Sequence, residues 1–275
     1  MNDELKNKLL QDLEKSGFAS EMQTMRTIRR AGWHCSGAGT YFDRDACKTR
    51  TIDVEAYSLA RDWEVGDGGV EFEYHLFIEV KKAERPWIVF RQKEQYENSG
   101  DAWHNPYFSH NEALSLGKLV PALHKYSIRK DLGWLGYGVH EAFKEPQDTG
   151  RWYAAAVTAC KAAYDYVRID SFKFLEKSEN KQTFLAITQP VVVLDGPLIS
   201  AEIAEDQTVA LEDVPFAPFE FEFSTACYEA SNYRIDLVRI TSLEAYLNVL
   251  KQRVEAIFTQ LHDAKRLHNV ANDSR

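Results

Sequence analysis

The sequence predicts an α/β fold in which a mixed central sheet is flanked by helices, and three observations lead to this prediction. Residues 51–58 (TIDVEAYS) alternate between apolar and polar side chains, as a half-buried strand does. Residues 71–80 (EFEYHLFIEV) are rich in aromatic and β-branched residues, which favour strands. Apolar side chains at helical spacing precede both segments, in residues 2–15 and 19–30.

The N-terminal part can be assigned element by element. Gly17 separates the two predicted helices, and Gly32 ends the second one. In the alternating strand, Ile52, Val54 and Ala56 are predicted to face one way, with Asp53 and its polar neighbours facing the other. A glycine-rich turn at 66–69 connects this strand to the next, so a hairpin is the simplest pairing.

The remainder of the chain extends the same pattern. Residues 95–110 are predicted to form a loop, and 111–128 and 151–167 to form helices. Strand-like segments follow from residue 183, and they either extend the sheet or form a small accessory module. A terminal helix is predicted from near Ser242 to about His268, followed by a disordered tail. We expect a single domain over 1–275, with its core in 17–90 and a strand-rich extension in about 183–275.

The composition excludes several classes of protein. Of the 275 residues, 44% are hydrophobic, which is enough for a sizeable core. No apolar run approaches the roughly 20 residues that a membrane helix needs, and the charged N-terminus lacks a signal-peptide core. We therefore expect a cytoplasmic protein with no membrane partner. The four cysteines form no CxxC pair, which indicates free thiols rather than a zinc site.

Charge is distributed unevenly along the chain. The formal net charge is −9, which is unfavourable for a protein that binds nucleic acid. Residues 201–229 contain eight acidic residues and no basic residue. This acidic stretch is either a solvated face, or a surface that docks a basic partner or repels DNA.

A candidate catalytic site is indicated by the segment Phe77-Ile78-Glu79-Val80-Lys81. Alternation places Glu79 and Lys81 on one face of a strand, with Cα atoms roughly 7 Å apart, and a hairpin could add Asp53 to that face. Two carboxylates can hold Mg²⁺ or Mn²⁺, which activates water, and an ammonium can orient that water or offset charge on a phosphate. The alternative is a cross-strand ion pair on a solvated sheet face.

The order GFASEMQTMRTIRRAGW, YFDRD, TRTIDVEAY and FIEVKKAERPWIVF, in residues 17–90, resembles the core of bacterial PD-(D/E)XK (restriction-endonuclease-like) nucleases. The family order is a helix with an acidic residue, a strand, a strand with the metal-binding Asp, and a strand with Glu-x-Lys. The resemblance matches Glu21, Asp53 and Glu79 to the metal ligands and Lys81 to the catalytic lysine. Ile52 stands where the literal motif has proline.

This resemblance implies a restriction-endonuclease-like fold and a metal-dependent endonuclease that hydrolyses DNA, in restriction, repair or phage defence. A homodimer is left open, because many relatives act as dimers, although no dimerisation heptad is evident. The alternative is a catalytically silent nuclease-like fold that binds nucleic acid or a protein partner.

Individual residues also have structural interpretations. Glu21 could be a first-turn acid that stabilises its helix, with Ser20 as the cap. Glu55 could be a further ligand or a polar edge residue, and Arg50 could position a phosphate or neutralise Asp53. The histidines lack metal-ligand spacing, so we expect them to be structural.

Overall fold

The computed structural model describes residues 1–65, 68–92, 105–111, 116–126, 132–145, 150–175, 182–228 and 231–273. Within these residues, eleven strands form one mixed sheet and helices pack on both of its faces. The predicted α/β class with a mixed central sheet is therefore confirmed.

The elements follow one another along the chain with helices at both ends. The helices are α1 Asp3–Ser16, α2 Phe18–Arg30, α3 Leu116–Lys125, α4 Arg151–Leu175 and α5 Leu243–Asp273, the last preceded by a 3-10 turn at Ile240–Ser242. The strands are β1 His34–Asp43, β2 Lys48–Asp62, β3 Val70–Lys82, β4 Trp87–Gln92, β5 Tyr107–His110, β6 Leu135–Glu141, β7 Thr183–Asp195, β8 Leu198–Ile203, β9 Val209–Asp213, β10 Phe216–Phe223 and β11 Ser231–Arg239.

The strand order is β1-β2-β3-β7-β11-β10-β6-β4-β8-β9, and β5 pairs with β7 beside this path. Strands β1, β2 and β3 form an antiparallel meander. Strand β7 is parallel to β3 along its whole length, from Val70 opposite Thr183 to Lys82 opposite Asp195. The C-terminal strands therefore extend the central sheet, which settles the choice that the sequence left open.

Strand β7 lies at the centre of the sheet, and its burial explains its sequence. Every residue from Thr183 to Leu194 is buried, as expected of a parallel strand that is covered on both faces. Helix α4 leads into β7 and packs against both β3 and β7 on one face, as the last part of the crossover that a parallel pairing requires.

Two helical layers enclose the sheet. Helices α2 and α5 cover one face through a cluster that includes Ile28, Val54, Ile78, Leu247 and Ile257. Helix α4 covers the opposite face with small side chains, among them the fully buried residues Ala155, Ala156, Ala159 and Ala163. The alanines allow the helix backbone to approach the sheet closely.

The structure corrects several element boundaries. Strands β6 and β9 were not predicted, and the segment expected to be a loop contains β5 at Tyr107–His110, while residues 93–104 lie outside the described residues. Helix α5 continues to Asp273, so the tail predicted as disordered after residue 268 is helical through that point. All four cysteines are free, as predicted. None of the helices among the described residues has the length and apolar character needed to cross a membrane.

We predict that Ala159→Leu lowers the free energy of unfolding by about 1–3 kcal/mol, because the added carbons have no space between α4 and the sheet. Ala154→Leu is the matched control, since Ala154 lies on the exposed face of the same helix and its substitution should change stability by no more than about 0.5 kcal/mol. Urea unfolding of both variants tests this. Equal effects of the two substitutions would contradict the packing described for α4.

Candidate active site

The main-chain pairing between β2 and β3 ends next to Asp53. Paired residues run from Asp62 and Val70 to Val54 and Ile78. One step further, the main-chain N–H of Val80 donates to the Asp53 carboxylate, with N to Oδ2 at 2.8 Å. The side chain of Asp53 thus takes the place of a main-chain acceptor, which aims its carboxylate at β3.

A local distortion of β1 and β2 accompanies this contact. Ala38 has a positive φ of 53°. Paired residues pass from Gly37 opposite Val54 directly to Gly39 opposite Ile52, with no pair at Ala38. Val54 belongs to the core under α2 and α5, whereas Ile52 packs with residues of α4. The prediction that Ile52 and Val54 share a face was therefore wrong, because the strand changes phase at the residue between them.

Lys81 joins the two carboxylates that the sequence analysis selected. Its ammonium Nζ lies 2.6 Å from Glu79 Oε2 and 3.2 Å from Asp53 Oδ2. The two carboxylate oxygens therefore lie no more than 5.8 Å apart, the sum of these distances. The structure thus brings Asp53, Glu79 and Lys81 together, with side chains from two neighbouring strands meeting at a single cation.

Burial determines the protonation of this cluster. Glu79 is only 5% exposed, and this burial raises its pKa to about 7, against the opposing effect of Lys81 and with a further increase from Asp53. Burial alone would lower the pKa of Lys81, but the Glu79 and Asp53 carboxylates raise it above its ordinary value. Lys81 is therefore a firmly charged ammonium, and Glu79 is a carboxyl group that gains or loses its proton near neutral pH.

Glu21 lies beside this cluster on α2. Burial raises its pKa, the nearby Asp53 raises it further, and Lys81 opposes the change. The capping interpretation of its neighbour Ser20 was wrong, because Gly17 caps the helix and the Ser20 hydroxyl donates to Asp195 at the end of β7. That hydrogen bond holds the start of α2 against the strand ends where Glu21 is placed.

The donor set fits a hard divalent cation only in part. Nowhere in the described part of the chain do three His, Cys, Asp or Glu side chains group so as to hold a metal ion. Asp53 and Glu79 by themselves offer two converging carboxylates. Mg²⁺ is commonly held by one or two carboxylates, and water and substrate phosphate complete its coordination shell. These residues therefore suit a magnesium ion that keeps most of its water.

Two other candidates lie outside the cluster. Arg50 pairs with Asp43, with Nε to Oδ2 at 2.6 Å, so the structure places it at the β1–β2 turn rather than against Asp53. Glu55 faces His75 instead, with Oε1 at 3.8 Å from Nδ1. Neither residue contributes to the group formed around Lys81.

His75 is the centre of a second buried polar cluster, which the sequence analysis missed. The histidine is 4% exposed and lies between two carboxylates, since its Nε2 is 2.9 Å from Glu73 Oε2 and its Nδ1 faces Glu55. The Tyr166 hydroxyl donates to Glu73 at 2.7 Å, and its ring packs against the imidazole. The signal was present in the sequence, because Glu73 and His75 lie in strand phase with Glu79.

The acidic stretch 201–229 occupies a different part of the sheet. Its described carboxylates lie on β8 and β9, at the opposite end of the strand order from β2 and β3, on β10, which β7 and β11 separate from β3, and on the connections between these strands. Glu202 and Glu212 both pair with Arg91, so part of this negative charge is neutralised within the protein. The stretch therefore does not surround the carboxylates of Asp53 and Glu79.

Comparison with known proteins adds no family to this description. No protein-family model, curated protein or solved structure gives a significant match to the chain. The function of the chain is therefore inferred from the geometry of its residues and from the resemblance of residues 17–90.

We predict that His75 makes the free energy of unfolding depend on pH in the range above 6.5, the ordinary pKa of histidine. Burial opposes the charged imidazole, but hydrogen bonds and charge from Glu55 and Glu73 raise the pKa of His75. A raised pKa in the folded state means that this stabilisation is complete below 6.5 and is lost as the pH rises through the folded value.

Urea unfolding at a series of pH values above 6.5 measures this effect in the wild type and in His75→Gln. The wild type should lose free energy of unfolding as the pH rises, and the variant should lose less. Glu79 also titrates near pH 7 but is present in both proteins, so the difference between the two curves isolates the histidine. Parallel curves would contradict a charged His75.

Proposed function

We propose that this protein is a divalent-metal-dependent nuclease that hydrolyses phosphodiester bonds in DNA. The main observation behind the proposal is that the carboxylates of Asp53 and Glu79 converge on the Lys81 ammonium. Lys81 Nζ lies 3.2 Å from Asp53 Oδ2 and 2.6 Å from Glu79 Oε2. Two carboxylates can hold a divalent cation and a neighbouring ammonium can stabilise charge on a phosphate, which are functions that metal-assisted phosphodiester hydrolysis can use.

The order of elements around the cluster supports the same proposal. Helix α2 carries Glu21, β1 follows without a candidate ligand, β2 carries Asp53, and β3 carries Glu79 and Lys81. This is the order that the resemblance to PD-(D/E)XK nucleases implies, and we propose a restriction-endonuclease-like core on this basis. Glu21 matches the helical acid of that family and lies beside Asp53.

Each residue has a distinct role in the proposed reaction. A bound Mg²⁺ or Mn²⁺ would polarise the phosphate and lower the pKa of a water molecule. Asp53 and Glu79 would hold the cation, and the hydrogen bond from Val80 N–H keeps the Asp53 carboxylate aimed at β3. Lys81 would orient the attacking water or offset the negative charge that develops on the phosphate. Glu21 would add negative charge at the edge of the site.

A cleavage assay tests the proposal directly. Purified protein is incubated with plasmid DNA, single-stranded DNA and RNA, each with Mg²⁺, with Mn²⁺ and with a chelator. We expect metal-dependent cleavage of DNA that the chelator abolishes. Binding of nucleic acid without cleavage under every metal condition would favour the alternative, a nuclease-like fold that has lost catalysis.

We predict that Asp53→Asn weakens metal binding and abolishes cleavage together. The substitution keeps the shape of the side chain but removes a negative charge from the metal site, so both properties should fall. Isothermal titration calorimetry with Mg²⁺ and Mn²⁺, and single-turnover cleavage, measure the two effects separately. Wild-type metal affinity in this variant would remove Asp53 from the ligand set.

We predict that Lys81→Met separates metal binding from chemistry. The variant keeps the aliphatic stem but loses the ammonium, so metal affinity should be unchanged or higher because a repelling charge is gone. Cleavage should fall by about two or more orders of magnitude, as when a group that stabilises transition-state charge is removed.

Lys251→Met is the matched control for this variant, since Lys251 is exposed on α5 and its loss changes the net charge equally. This control should cleave at the wild-type rate. If Lys81→Met also cleaves at that rate, Lys81 serves only as the ion-pair partner of Glu79, and the assignment of its catalytic role is wrong.

A further inference from the structure

A second charged feature lies at the end of β3, immediately beyond the candidate active site. It is a cavity of about 470 Å³, within the range of about 300–1,000 Å³ that is typical of ligand sites. Cationic side chains dominate its wall, and they come from α1, from the end of β3 and its turn into β4, from the segment after β6, and from the start of α4. These residues are Lys15, Lys82, Arg85, Lys144 and Arg151.

Three carboxylates, those of Glu14, Glu84 and Glu141, also line the wall, so its five cations outnumber its acidic groups. Glu141 is buried and binds Arg151 at 2.6 Å and Lys144 at 3.2 Å. Lys82 and Arg85, by contrast, are held by neutral groups, since Lys82 Nζ donates to the main-chain oxygen of Glu14 and Arg85 to that of Phe143, each at 3.0 Å. Within the described residues, both side chains are thus held in position while their charge is not neutralised by an ion pair.

The geometry of Lys82 and Arg85 suits a phosphate group. Both side chains are exposed, so a ligand can reach them. The guanidinium of Arg85 has donors beyond the one that contacts Phe143, and a guanidinium can bind two phosphate oxygens at once. The start of α4 at Arg151 also lies in the wall, and its helix dipole favours an anion there.

The cavity and the candidate active site both lie at the end of β3. Lys82 directly follows Lys81, and the two side chains leave the strand on opposite sides because side chains alternate. Arg151 donates to the main-chain oxygen of Lys82 at 3.0 Å, which fixes the cavity wall to the strand end. A ligand that extends past Lys81 around the end of β3 therefore meets Lys82 and Arg85 next.

We infer that this cavity binds a phosphate group of the nucleic-acid strand, next to the bond that is cleaved, with Lys82 and Arg85 as the binding residues. The inference rests on the proposed nuclease function and adds to it the position of a neighbouring phosphate. It also gives an acidic protein a localised basic surface where a polyanionic substrate must lie.

The test compares two double variants with the same change in net charge. Lys82→Ala with Arg85→Ala removes the two binding cations, and Lys118→Ala with Lys251→Ala removes two exposed lysines on α3 and α5. Equilibrium binding to a DNA oligonucleotide is measured in the presence of a chelator, at several salt concentrations. Thermal unfolding of both variants checks that the fold is retained.

We expect the cavity variant to bind about tenfold more weakly at low salt, and the control variant to bind within about twofold of the wild type. The slope of log affinity against log salt should fall by about 0.7–0.9 for each phosphate that the variant no longer neutralises. Single-turnover cleavage at sub-saturating DNA should fall with the loss of affinity in the cavity variant, whereas the control variant, whose two lysines lie outside the cavity, should cleave at the wild-type rate.

The outcomes separate this inference from the proposed function. A wild-type protein that binds and cuts DNA, with equal binding by the two double variants, overturns the cavity assignment alone. A wild-type protein that neither binds nor cuts nucleic acid overturns both. If the two variants bind DNA equally but the cavity variant alone loses binding of inorganic phosphate in calorimetry, the site serves a free anion and the strand assignment is wrong.

Discussion

The buried carboxylate of Glu79 is the constraint on which the surrounding structure depends. A carboxylate that is 5% exposed requires a counter-charge or a proton, because ionised groups are costly to remove from water. Lys81 supplies the counter-charge from the same face of β3, and Asp53 completes the group from β2. A slip of β2 by one residue would remove Asp53 from Lys81 and from the N–H of Val80 together. Strand register and the charge balance of the site are therefore fixed by the same contacts.

Net charge alone gives a misleading account of what this protein can bind. The chain carries a net charge of −9, yet its charged side chains are unevenly distributed over the sheet. In the acidic stretch 201–229, Asp213 of β9 pairs with Arg239 and Glu220 of β10 pairs with Arg234, and β7 and β11 separate these strands from β3. In the cavity at the end of β3, by contrast, cationic side chains outnumber carboxylates. The local field, rather than the total charge, decides where a polyanion can approach.

The sequence was sufficient to predict the features that follow from local pattern. Helix α2, the hairpin of β2 and β3, and the meeting of Asp53 with Glu79 and Lys81 all follow from periodicity and from a turn. It was insufficient where long-range contacts decide the outcome. The change of phase at Asp53 depends on Ala38 in β1, and the environment of His75 depends on Tyr166, 91 residues away along the chain. The sequence of β2 does not indicate the contact with Ala38, and the sequence of β3 does not indicate the contact with Tyr166.

The contacts of Lys81 also suggest how metal binding and phosphate binding would be linked under the proposed function. Its ammonium occupies the space between the Asp53 and Glu79 oxygens, so a divalent cation that binds both carboxylates must displace it. The ammonium cannot leave the site, because its side chain is anchored to β3, and it can move only within the length of that side chain. Repulsion from a bound cation would move the ammonium away from the carboxylates and toward a phosphate held nearby. The divalent cation would then neutralise Asp53 and Glu79 in place of Lys81, and the lysine would become available to the substrate. This exchange is the physical reason to expect that Lys81→Met slows cleavage without weakening metal binding.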